Sequence, residues 1–332
     1  MIRVIARLLG VVLICAGAWI AWTQYDAHEP YLRATPGVLI EIAPNTRTAQ
    51  IAQELQDNGI VRSARTFMVL HYLEPWQTLK AGSYSFDRPL SPHDVFRKLA
   101  RGEVSYETLT VPEGFNRFQI ADLVESGGFA SRAEFLKATQ ENSLISDIDP
   151  MAPSLEGYLF PDTYQFPHHT GAAAIAKVMV NRFRQVYAKL AAPGLDRPVR
   201  EVVIMASLVE GETGDAEERP IIASVFYNRL KAGIPLQCDP TVIYAAILSN
   251  TYDGTIHQSQ LSSPSPYNTY THAGLPPGAI GNPGRASLMA AMHPAESKYL
   301  YFVANSTGHH TFSRTLAEHH LAVNLYRRSL AR

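Results

Sequence analysis

The chain has 332 residues, 46% of them hydrophobic and 18% charged, with 29 lysines and arginines against 30 aspartates and glutamates for a formal net charge of −1. That balance excludes a polybasic wrapper of nucleic acid and long disorder, and two cysteines exclude a disulfide framework. The length suits two or three domains with a sizeable core.

The charge is unevenly spread. Leu8 to Tyr25 is a run of 18 residues without a charge, behind Arg3 and Arg7 and ahead of Asp26. As a helix it spans about 27 Å, close to the hydrocarbon core of a bilayer. Trp19 and Trp22 fall where an interfacial aromatic belt lies. The run predicts a single transmembrane helix over residues 8–25. The flanking arginines put residues 1–7 in the cytoplasm and the rest of the chain outside the cytoplasmic membrane. A cleaved signal peptide is the competing reading, since Ala16-Gly17-Ala18 is a small-residue site; apolar character up to Trp22 favours the anchor. Leu13 and Ile14 before Cys15 do not make a lipoprotein signal. Cys15 and Cys238 have no way to meet, so no internal disulfide is expected.

Residues 31–104 read as a small α/β unit. Val38–Ile42 is strand-like. Thr48–Asn58 has apolar Ile51, Ala52 and Leu55 at helical spacing, with Gly59 as its stop. Ser63 caps a second helix, Lys80–Phe86 is a returning strand, and Ser91–Arg101 is a third helix closed by Gly102. This βααβ order suits a binding module, and it holds no acid pair or Cys/His cluster. A weak echo about 69 residues on (Val111, Ile120-Ala121, Val124, Gly128) reads equally as a duplicated module or as one more strand and helix.

Residues 105–332 read as a mixed α/β domain with long loops. Glu107–Val111 is strand-like, and Phe118–Glu125, Arg132–Thr139 and Ala172–Leu190 are helical. Arg200–Thr213 is a very apolar helix, Ala216–Ala232 another, and Pro264, Pro266, Pro276, Pro277 and Pro283 mark loops. Tyr299–Ala304 returns as strand and Leu316–Ser329 as helix.

The chemistry concentrates in Val202–Gly214. Eight nonpolar or small residues lead into Glu210 and Glu212 at a helix end. Apolar surroundings and the negative end of the helix dipole both favour a protonated carboxyl, which describes a general acid at neutral pH. A solvated acid at a helix end is the plainer reading. Residues two apart do not share a helix face, so the two glutamates do not form a glycosidase pair. Glu217 and Glu218 read as first-turn acids of the next helix, with Glu218-Arg219 a structural ion pair. His309-His310 and His319-His320 lack the H-E-x-x-H pattern of zinc hydrolases, and no G-x-S-x-G or phosphate loop occurs. No metal or cofactor is expected. Cys238 reads as an incidental thiol. Leu236–Thr241 and Ser265–Tyr270 combine turn formers with amide, hydroxyl and aromatic groups; these suit a sugar ligand or simply satisfy one another in turns.

These motifs carry a resemblance. Val111-Pro112-Glu113-Gly114, LEGYLFPDTY (155–164), ASLVEGETG (206–214), ERPIIASVFYNRL (218–230), LQCDPTVIY (236–244), SPYNTY (265–270), GLPPGAIGNPG (274–284) and YFVANSTGHHTFS (301–313) occur in order. Over nearly everything past the anchor, the chain resembles the MltG/YceG-like endolytic murein transglycosylases. The resemblance implies an α+β fold whose first module is LysM-like and glycan-binding. It implies cleavage of the MurNAc–GlcNAc β-1,4 bond within peptidoglycan by attack of the muramyl C6 hydroxyl on C1, leaving a 1,6-anhydro end. It also implies one glutamate serving as acid and then base. Glu212 before Thr213 matches the Glu–hydroxyl pattern of lytic transglycosylases, with Glu210 the second choice. The implied substrate contacts are Gln237, Asp239, Thr241, Tyr267, Asn268 and Tyr270, then Glu156 and Asn228. Relatives carry a small hydroxyl residue at the position of Cys238, which here leaves a free thiol open to oxidation. The implied partners are peptidoglycan strands, the membrane and glycan-polymerising penicillin-binding proteins, with no nucleic acid. A non-catalytic scaffold and a hydrolytic muramidase are the alternatives.

Overall fold

The computed structural model describes residues 2–168, 170–191 and 197–330. It is a mixed α/β structure with one long N-terminal apolar helix, α1 (Ile2–His28), of which Arg7–His28 is long and apolar enough to cross a membrane. Of the segment expected in the cytoplasm, Met1 and the side chains of Ile2, Arg3 and Ala6 lie outside the described residues. The chain divides into two compact units. One is residues 1–107 with 165–168, and the other is 108–164 with 169–332.

In the first unit, β1 (Val38–Ile42) is followed by α2 (Thr48–Asp57), α3 (Ala64–Leu73), β2 (Gly82–Phe86) and α4 (Pro92–Arg101). β1 and β2 pair antiparallel, with Ile40 opposite Tyr84. The βααβ order is therefore present. Local chemistry sets the helix ends. Ser63 accepts the Thr66 N–H, Ser91 accepts the Asp94 N–H ahead of Pro92, and Gly102 closes α4 at φ 72°. Ile40, Ile42, Ile51, Leu55, Phe67, Tyr84, Phe86, Phe96 and Leu99 form the core.

The apolar helix α1 does not stop at the predicted end of the span. Leu8 to Trp22 present exposed apolar side chains, but Thr23, Asp26 and Ala27 are buried where α1 packs on α3 and α4. Asp26 accepts a 2.5 Å hydrogen bond from the Thr66 hydroxyl and faces Arg62 at 3.9 Å. A buried carboxylate needs such partners.

Further along come β3 (Tyr106–Thr110), α5 (Arg117–Ser126), α6 (Arg132–Ala138) and β4 (Thr163–Pro167), with β3 and β4 paired. In the second unit follow α7 (Ala172–Leu190), α8 (Val199–Glu212), α9 (Arg219–Lys231), α10 (Asp239–Leu248), α11 (Gln258–Leu261), α12 (Arg285–Met292), β5 (Tyr301–Ala304), β6 (His310–Ser313) and α13 (Leu316–Leu330). β5 and β6 form an antiparallel hairpin. α8 is central. Val202 to Val209 are all buried, and the helix packs against α9, α10 and α12. A helix apolar on every side belongs inside.

Three expectations are corrected. Residues 239–241, read as part of a turn-forming stretch, begin helix α10; Asp239 and Pro240 open it, because an acid complements the dipole and proline suits the first turn. Helix α9 starts at Arg219, so Glu217 and Glu218 precede its first turn. Glu218 and Arg219 do not pair: Arg219 bonds Glu210, and Glu218 bonds His310.

Candidate active site

Glu212 is the last residue of α8, where the buried helix reaches a cleft of about 610 Å3. Gln237, Asp239 and Tyr270 line the same cleft, with Arg229, Phe302, His310 and His319. Burial pushes the Glu212 carboxyl up to about 7, and the Asp239 charge pushes the same way. A hydrogen bond with the Cys238 thiol, and the positive fields of His310 and Arg229, oppose it. Near neutral pH the group therefore holds and releases a proton readily, as an acid–base catalyst must.

The walls come from distant segments. The turn before α10 is strained at Gln237, whose φ is 51°, and its backbone N–H bonds Thr269 O. Tyr270 donates to Asp239 Oδ1 at 2.5 Å. Glu218 ties down the β5–β6 hairpin by accepting both the His310 N–H (2.7 Å) and a 2.6 Å contact with its ring Nδ1. Arg229 bonds the carbonyls of Leu300, Pro235 and Leu236 and lies over the Tyr301 ring.

Of the residues expected to contact substrate, the structure gathers Gln237, Asp239 and Tyr270 around Glu212. Thr241 and Asn268 are fully buried beneath them. The Thr241 hydroxyl bonds Cys238 O and the Thr269 hydroxyl. The Asn268 amide donates to three carbonyls of residues 260–263 and accepts the Tyr270 N–H, which shapes the loop. Tyr267 is half-buried against Tyr244, and burial raises its phenol to about 12. Asn228 donates to the carbonyls of Ser297 and Tyr299. Glu156 lies at an internal junction, accepting from the Arg117 N–H, the Tyr244 hydroxyl and the Asn282 amide. Its carboxyl is raised to about 7 by burial.

Glu210 points elsewhere than Glu212. Its two oxygens accept from Arg219 and from the backbone N–H of Gly284, both at 2.9 Å. Cys238 is 1% exposed, and burial beside Glu212 holds its thiol protonated. It is thus a buried neighbour of the acid rather than the incidental, oxidation-prone thiol its sequence context suggested. Arg229, Phe302, His310 and His319 were missed as cleft residues. The signals were the His309-His310 and His319-His320 pairs, read only against zinc motifs. Asp215, Glu218 and His309 also bring potential ligand atoms within 4.8 Å of one another, and His309 bonds Asp215 there.

Fold and cleft together define the class: a mixed α/β protein in which a buried helix ends in a carboxyl raised to about 7, at a cleft that a second carboxylate, Asp239, also lines. The model of the YceG-like family matches residues 40–325. The chain is 34% identical to the endolytic murein transglycosylase of Bacillus subtilis (strain 168), over 87% of this chain and 84% of that one. It is 30% identical to the endolytic murein transglycosylase of Streptococcus pneumoniae serotype 2 (strain D39), covering 92% of this chain but 61% of the longer relative. A crystal structure of a yceG-like protein from Listeria monocytogenes superposes with a TM-score of 0.56 at 32% identity, over 87% of this chain and 99% of that one. The chain belongs to the YceG-like family.

Proposed function

We propose that the protein is an endolytic peptidoglycan transglycosylase with Glu212 as its acid and base. The carrying observation is a carboxyl raised to about 7 that ends a buried helix at a sugar-sized cleft. Protonated Glu212 gives its proton to the glycosidic oxygen as the bond to MurNAc C1 breaks. The carboxylate then takes the proton of the muramyl C6 hydroxyl as that oxygen bonds C1. No water is consumed, so the 1,6-anhydro product is one water lighter than a hydrolytic one. This departs from the two-carboxylate scheme of ordinary glycosidases. Gln237, Asp239 and Tyr270 contact the sugars, Thr241 and Asn268 shape the turn and loop that carry them, and Tyr267, Asn228 and Glu156 hold other parts of the domain together.

The first unit is read as LysM-like and glycan-binding. Its βααβ order supports this, as does a groove of about 380 Å3 between the loops at Ala43–Thr46 and Pro75–Ala81. Helix α1 anchors the chain with its second unit on the outer face of the cytoplasmic membrane, where new glycan emerges. There the enzyme would end strands made by penicillin-binding polymerases.

Mass spectrometry of uncrosslinked glycan digested by wild type and Glu212→Gln tests the reading. Wild type should yield anhydromuramyl ends and the variant none. Reducing MurNAc ends would mean hydrolysis, and near-normal activity of the variant would remove Glu212 from the role.

A further inference from the structure

The Glu210 carboxylate bridges two other elements at the C-terminus of α8. One oxygen takes a 2.9 Å hydrogen bond from Arg219, the first residue of α9. The other takes a 2.9 Å bond from the N–H of Gly284, the residue that caps α12. Both side chains of the ion pair are more than nine-tenths buried, at 7% exposure for Glu210 and 9% for Arg219. A charge-assisted bridge of this kind is stronger and more directional than neutral hydrogen bonds. The surroundings are equally tight. Gly114 approaches the Glu210 Cγ so closely that a Cβ there would lie 3.4 Å from it. A Cβ on Gly284 would overlap the carboxylate of Glu113, which accepts the Arg285 N–H and feels both Glu210 and Arg219. Two glycine-bearing motifs, Val111–Gly114 and Ala279–Gly284, thus meet around Glu210.

Glu212 follows two residues later, at the end of the same helix. No residue beyond it continues the helix, and Thr213 has extended backbone. Helix termini fray unless something holds them. We propose that Glu210 is a positioning residue: its bridge from Arg219 to Gly284 N–H fixes the last turn of α8 and so sets the direction in which Glu212 enters the cleft. The inference rests on Glu212 being the acid. Misplacing a catalytic group by about 1 Å costs on the order of 100-fold in rate, while sugar contacts on other elements are untouched.

The test is a double-mutant cycle with Glu210→Gln, Arg219→Gln and the pair together, measuring kcat and KM for release of anhydromuramyl ends from uncrosslinked glycan. A glutamine at 210 accepts from one donor but turns its own amide toward the other. Each single variant should lose about 10- to 100-fold in kcat with KM within about twofold of wild type, and the double variant should be no worse than the weaker single. Arg219→Gln covers the case in which Glu210→Gln does not fold. Unchanged kcat in both single variants, or losses that multiply in the double, would overturn the bridge. If Glu210→Gln is fully inactive while Arg219→Gln has normal kcat, Glu210 is itself the catalyst and the positioning role is wrong. Glu212→Gln, assayed alongside, keeps the two questions apart: its activity judges the acid assignment, and the cycle judges Glu210.

Discussion

The thiol of Cys238 lies against the carboxyl of Glu212 and hydrogen-bonds it, buried at the start of α10 with 1% of its surface exposed. The bond favours the ionised carboxyl, in opposition to the burial that dominates its titration. A general acid works while protonated, so activity should fall as pH rises through about 7. Cys238→Ala removes the donor and should move that alkaline limb upward. Cys238→Ser supplies a stronger donor and should move it downward. A pH profile of kcat/KM for the three proteins gives the order; identical limbs would show that the contact does not tune the acid.

Glu156 should matter for stability. All hydrogen-bond partners of its carboxylate are donors, from Arg117, Tyr244 and Asn282. Glutamine at this position turns an NH2 toward one of them and leaves buried groups unsatisfied, at a cost of about 1–3 kcal/mol. Thermal unfolding of Glu156→Gln should show the loss. The folded variant should keep the KM of wild type, and a large rise in KM would mean that Glu156 touches substrate after all.

Gly157 allows the LEGYLF segment to lie on α8. Its φ is 90°, and a Cβ there would meet Ala279 and Val203 at 2.5 and 2.6 Å. Both the backbone and the packing oppose a side chain. Gly157→Ala should cost about 2–4 kcal/mol by chemical denaturation, more than an ordinary surface change. A midpoint equal to wild type would show that α8 shifts freely.

The β5–β6 hairpin should be a separable part of the cleft. Phe302, Val303 and Ala304 line it, and Glu218 holds the hairpin through His310. Glu218→Ala leaves the acid in place but frees this wall. Its KM for glycan should rise severalfold while kcat changes little, and a fall in kcat alone would assign Glu218 a different part.

Regular helices with clear stops were legible in the chain. Ser63, Ser91 and Gly102 act where their chemistry says they should, and α7 begins and ends at the expected residues. The apolar run into Glu212 likewise foretold a desolvated carboxyl. Helix α10 was hidden because Asp239-Pro240 is equally a turn signal and a helix start. The far wall of the cleft was hidden for another reason. Phe302, His310 and His319 lie some 90 to 107 positions after Glu212, and no local spacing encodes such a meeting. Nor does a motif separate contact from support: Asn268 and Tyr270 stand two residues apart, one fully buried under the loop and the other facing the cleft.

One helix joins an exposed apolar stretch to a folded unit. Leu8 to Trp22 carry exposed apolar side chains, while Asp26 and Ala27, a turn beyond Trp22, are already buried in the first unit, where Asp26 bonds Thr66. At 1.5 Å per residue α1 is a rod of about 40 Å with no swivel between its two halves. A floppy leash would let the first unit wander over a hemisphere. With Arg7–His28 as the proposed membrane span, this rod makes that unit lean whenever the span leans, so bilayer thickness and lipid order become mechanical inputs to where the unit reaches. Cutting the pin with Asp26→Ala, which removes the acceptor of the Thr66 hydroxyl and the partner of Arg62, should loosen that coupling without touching a single residue of the cleft.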